Sequence, residues 1–187
     1  MKKLYKIDSS GKILYAEYWI DSNKAIIHTG IVGKTGKTLN IVLSDDLKKS
    51  DDYFGQRFKN VGFTEFLDDK LYWLVVQYKM KSLKGNTRDC WLKDKVTEYL
   101  NEELGWKGLG AVDGFDMGQS AADPKKFVLN IFCLVVDEEI GISAIKRCLR
   151  EYRLDYTQIK IASRQNLSDS QYKLKYSAKK NDQTFSL

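Results

Sequence analysis

The sequence predicts an α+β protein: a small antiparallel β meander closed by one helix, followed by a β-α-β-β-α-β sandwich. Three observations carry this. Short apolar runs separated by turn-type clusters fill the first 43 residues. Two stretches of helical periodicity alternate with apolar, strand-like runs in the second part. Hydrophobic residues make up 43% of the chain and charged residues 30%, and proline occurs once, so a core can form and stiff linkers are excluded.

The first part reads as strands at Leu4 to Ile7, Ile13 to Ile20 and Ala25 to Val32, with a fourth at Ile41 to Leu43. Their separators, Asp8-Ser9-Ser10-Gly11 and Asp21-Ser22-Asn23, are turn formers. After a polar stretch from Ser44 to Asp52, Tyr53, Phe54, Phe58 and Val61 fall near helical spacing, and Gly62 suits the helix C-terminus. The break at Leu67-Asp68-Asp69-Lys70 sets the expected boundary, giving a meander unit over 1–66, a sandwich over 67–163 and a C-terminal extension over 164–187.

In the second part Leu71 to Met80 reads as a strand, and Asp89 to Leu104 as a helix with Leu92, Val96, Tyr99, Leu100 and Leu104 on one stripe, ended by Gly105. Ala111 to Met117 is a weak strand and Lys126 to Val136 a strong one. Asp137 should cap a second helix, with Glu138 and Glu139 in its first turn, basic residues towards its end, and Ile142, Ile145, Leu149 and Tyr152 inward. Thr157 to Ala162 completes the β-α-β-β-α-β order, which is the ferredoxin-like arrangement, and Tyr172 to Tyr176 offers one further strand. Leu71 to Met80 and Phe127 to Val136 are apolar on both faces, so the sheet should be covered on both sides, by helices on one and by another layer on the other.

Composition narrows the function classes. The formal charge of +6 is spread along the chain among acidic residues, which makes no phosphate-binding stripe. No run approaches a membrane span, and the basic N-terminus leads into Asp8-Ser9-Ser10 instead of an apolar signal core, so no membrane partner and no secretion are expected. Three cysteines, Cys90, Cys133 and Cys148, odd in number and set among core-pattern residues, suit buried thiols in a reducing compartment, and a cytoplasmic protein is expected.

Gly30-Ile31-Val32-Gly33-Lys34-Thr35-Gly36-Lys37-Thr38 looks like a phosphate loop, but the first glycine of that motif would have to stand at Ile31, and strand follows where a helix is needed. A glycine-rich hairpin turn with φ > 0 positions is the plainer reading. Strand, turn, strand, this Gly-x-Val-Gly-x-x-Gly-Lys run, and an aromatic helix ending in Lys59-Asn60-Val61-Gly62-Phe63 together resemble the WGR domain of poly(ADP-ribose) polymerases over residues 3 to 66. Gly30, Val32, Gly33, Gly36 and Lys37 match that pattern, while Thr29 and Ile31 stand where the name-giving Trp and Arg would be. The resemblance implies the fold of the turn; the residues that help the family to grip DNA are replaced. The second part matches no specific family, and the base-stacking aromatics of RNA-recognition motifs are missing from Lys126 to Phe132.

Gly108 to Gly118 holds several glycines with Asp113 and Asp116. An edge strand with a bulge is preferred to a ligand loop, although these aspartates with Asp123 could face a cation or a basic partner. His28, the only histidine, has no Cys or carboxylate at ligand spacing in the sequence, and four zinc ligands cannot be assembled. No catalytic residue, metal or cofactor is therefore assigned. The expected function is a non-enzymatic interaction module, accessory or immunity-like, with a protein partner; a second copy of the chain is another candidate. The alternative is a nucleic-acid-binding accessory using Lys24, Lys34, Lys37, Arg57 and Lys59, and a third reading is an enzyme on a small acidic ligand at the Asp113 to Gly118 loop.

Overall fold

The computed structural model describes residues 2–44 and 52–187; most of the polar connector read at Ser44 to Asp52 lies outside them. The protein is α+β, with two antiparallel sheets and three α-helices among the described residues. The chain divides into two compact units, one of residues 1–67 with 106–108, the other of 68–105 with 109–187.

In the first unit β1 (Lys2–Ile7), β2 (Ile13–Asp21), β3 (Lys24–Ile31) and β4 (Lys37–Val42) form a sheet in sequence order, so each strand pairs with the next. The β2–β3 turn at Ser22-Asn23 pairs Asp21 with Lys24, which fixes the register of every pair behind it. The β4 strand starts earlier than the sequence suggests, because the hairpin ladder from Lys24↔Val42 to Thr29↔Lys37 takes in residues whose side chains are largely exposed. On one face lies α1 (Tyr53–Asn60), whose Phe54 joins Tyr18, Ala25 and Leu43 in a small core. The Tyr18 hydroxyl donates to the Asp52 carboxylate just before that helix, and Gly62 at φ +91° turns the chain after it. On the other face Tyr5 meets Phe66 edge to face, and Trp106–Gly108 pack against Tyr15 and His28.

The second unit contains β5 (Tyr72–Met80), α2 (Thr87–Trp106), β6 (Gly110–Ser120), β7 (Asp123–Val135), α3 (Glu138–Glu151), β8 (Lys160–Gln165) and β9 (Lys173–Ser177). From β5 to β8 this is the β-α-β-β-α-β order, and the strands lie as β6-β7-β5-β8-β9, all neighbours antiparallel. Asp137 caps α3 as its spacing predicts, accepting from the Ile140 N–H at 2.9 Å. Gly105 does not end α2; the helix continues to Trp106, and Gly108 at φ +63° makes the turn. Tyr152 is not inward either: it is half exposed and stacks on Tyr99 with ring centroids 3.9 Å apart. The β8 strand begins only at Lys160, because Arg153 and Asp155 both hold positive φ and a turn from Asp155 to Gln158 precedes it.

Leu74, Val76, Tyr78, Leu129, Ile131 and Cys133 are buried on the helix side of the sheet. On the opposite side Val75, Ala162 and Asn130 are fully buried as well. The C-terminal segment lies on that side: Ser186 accepts from the Gln77 side chain at 2.8 Å and pairs with Ser120 at 2.6 Å, while Phe185 leans on Tyr172. Burial on both faces follows from apolar and amide side chains at the centres of these strands, Val75, Gln77, Asn130 and Ala162 on this side.

Candidate functional site

The seven residues singled out in the sequence do not form one site. Lys24 starts β3 and Lys34 lies in the turn beyond its far end, a strand about 23 Å long at roughly 3.3 Å per residue standing between them. Arg57 sits on its own helix, its guanidinium 5.7 Å from the centroid of the Tyr53 ring and donating to the Tyr53 hydroxyl at 3.2 Å. Lys59 is in the last turn of α1. Asp113 and Asp116 belong to the second unit, where the glycine-rich stretch is not a loop but the edge strand β6, bulged between Val112 and Gly114. Asp123 is held by Lys126 at 3.3 Å, and no group of three or more His, Cys, Asp or Glu side chains that could hold a metal exists among the described residues. The cation site considered for these aspartates is not assembled.

Lys34 and Lys37 do come together, on the rim of a pocket of about 440 Å³ at the β3–β4 turn. Its apolar walls are Leu14, Ile31 and Phe63, with Thr29 and Thr35 beside the lysines. The turn is built by contrasting glycines. Gly33 needs its φ of +84°, whereas Gly30 and Gly36 are required by space: a Cβ on Gly36 would stand 2.1 Å from the Tyr15 hydroxyl and 2.5 Å from His28 Nε2. The two flanking strands are antiparallel and no helix follows, so the phosphate-loop geometry is absent here.

Below this turn lies a polar cluster that spacing along the chain does not show. Glu17 and His28 are direct cross-strand partners, and Glu17 Oε1 lies 2.7 Å from His28 Nδ1. Lys3 Nζ reaches Glu17 Oε2 at 2.9 Å, and His28 Nε2 is 3.1 Å from the Tyr15 hydroxyl, which also lies 3.1 Å from the Trp106 carbonyl oxygen. The tyrosine's one proton can serve either acceptor. Burial pushes the Tyr15 phenol up to about 12, with the Glu17 charge adding to it. Lys3, Glu17, His28 and Tyr15 form the arrangement of an acid–base relay, yet His28 is 1% exposed, Glu17 4% and Tyr15 0%. Gly36 and Gly108 both pack closely on Tyr15, which forms part of the wall of the turn pocket. The cluster satisfies buried polar groups and pins β1, β2 and β3 together.

No family model, curated protein or solved structure matches this chain.

Proposed function

We propose that the protein is a non-enzymatic interaction module that docks a partner protein at the β3–β4 turn pocket. One observation carries the reading: an apolar pocket framed by two lysines opens at this turn, with buried Tyr15 in its wall and Glu17 and His28 buried beside Tyr15. Neither Lys34 nor Lys37 has a carboxylate partner within ion-pair distance among the described residues. Such a site favours an apolar side chain flanked by acidic residues, the chain burying its anchor while the rim lysines select charge and register. The resemblance to WGR domains supports the same choice. Thr29 and Ile31, which replace the family's Trp and Arg, both line this pocket, so a position that would grip DNA has become an apolar wall.

The test is affinity capture with the full chain and with Ile31→Glu and Lys34→Glu variants of unchanged circular dichroism. A partner captured by the natural chain should be lost by both variants. Equal recovery with both would remove the pocket from the interface. A nucleic-acid accessory role is the second reading, favoured by Lys34 and Lys37 on an exposed turn, neither with a carboxylate partner among the described residues. Binding would then weaken steeply with salt, and failure to retain duplex DNA at low salt would exclude it.

A further inference from the structure

A second cavity, independent of that pocket, lies within the second unit between the sheet and the C-terminal segment, with a volume of about 180 Å³. Two anchors hold the segment over it. Lys160 Nζ donates to Asp182 Oδ1 and to the Thr184 carbonyl oxygen, both at 2.6 Å, and Ser186 is tied to Gln77 and Ser120. The cavity receives four lysines, Lys79, Lys126, Lys160 and Lys179, against two aspartates, Asp123 and Asp182.

Lys126 and Lys160 are matched by those aspartates, at 3.3 and 2.6 Å. Lys79 and Lys179 have no carboxylate partner among the described residues, so two positive charges remain in excess around a partly enclosed space. Both are exposed side chains in the lining, able to swing towards an anion held there. The chemistry of the lining narrows the anion. No arginine is present, and a planar guanidinium fork is what best recognises a carboxylate. Ammonium groups act as point charges and suit a tetrahedral group whose oxygens point in several directions, while the hydroxyls of Ser120, Ser177 and Thr184 are engaged with Ser186, the Lys179 carbonyl and Asp182.

We propose that this cavity binds the phosphate group of a small phosphorylated molecule, with Lys79 and Lys179 as its charge partners.

Isothermal titration and thermal melting of the full chain test this, with inorganic phosphate, pyrophosphate, a sugar phosphate and a short DNA duplex as probes, at ionic strength held constant with potassium chloride. Pyrophosphate or the sugar phosphate should bind saturably and raise the melting temperature. Removing one exposed charge, by Lys79→Gln or Lys179→Gln, should weaken binding by about tenfold. The Lys34→Gln/Lys37→Gln variant should bind as the natural chain does. The idea is overturned if potassium chloride alone reproduces the shift, if the Lys79→Gln/Lys179→Gln variant binds unchanged, or if only the duplex binds and the turn variant abolishes it.

Discussion

Gly36 shows how a residue without a side chain can set the conditions of a site. Its backbone rests on the Tyr15 hydroxyl and the His28 ring, so an added methyl has nowhere to go. Gly36→Ala should lower stability by about 1–3 kcal/mol, the usual cost of overfilling a packed place, as read from urea unfolding. A neutral result would mean that the turn moves aside freely. Glu17→Ala should cost more, about 3–5 kcal/mol, since it strips a buried ion cluster of its only carboxylate and strands Lys3 and His28. The glycine pattern was plain in the sequence, but only Gly33 meets the conformational reason first given for it. The Glu17–His28 contact was also legible, through register: a turn at Ser22-Asn23 pairs Asp21 with Lys24, and stepping outward puts Glu17 opposite His28. A search for ligand spacing along the chain misses such a pair because strands bring together residues whose numbers differ widely. The contribution of Trp106 was not legible, since no local pattern ties the end of a helix to a strand far upstream.

Elements with strong periodicity were readable because their burial is local in cause. The β7 strand follows from a continuous apolar run, though it starts at Asp123, ahead of the Lys126 expected, and α3 follows from its helical spacing and capping aspartate. The C-terminal segment was harder, because its polar residues dock through specific hydrogen bonds and show no period. Its attachment gives a pH prediction. The hydrogen bond from Lys160 holds the Asp182 carboxyl below the ordinary carboxylate value. A group depressed in the folded state contributes stability that is present above its unfolded pKa, about 4, and lost as pH falls through its folded value. The protection of the amides of residues 178–187, relative to their intrinsic exchange rates, should therefore fall selectively as the solution is acidified below about pH 4, before the rest of the unit opens. Lys160→Met should produce the same exchange at neutral pH. Protection that persists in this variant would mean that the Gln77 and Ser120 contacts hold the segment without the ion pair.

Across the molecule, the balance of classes was readable from composition, since a chain rich in apolar and aromatic residues must bury them in sheets and helices. What buries them was not, because docking faces depend on contacts distant in sequence. The eleven tyrosines turn that burial into a measurable property. Burial is the largest cause of the raised pKa at Tyr5, Tyr15, Tyr18 and Tyr78, with Asp52 adding to it at Tyr18 and Asp155 at Tyr78. The first three belong to the first unit and the last to the second. A phenol whose folded pKa lies above its unfolded value of about 10 supplies stability that is complete below pH 10 and declines as the pH rises through the folded value. For Tyr15 that window closes near 12. Phenolate absorbance at 295 nm should accordingly show a late second stage above pH 10, in which the four buried phenols ionise together with loss of circular dichroism. Tyr15→Phe should remove one phenol from the second stage. If all eleven ionised in a single step near pH 10 while the circular dichroism stayed intact, these four hydroxyls would be open to water and the two cores would not be closed as described.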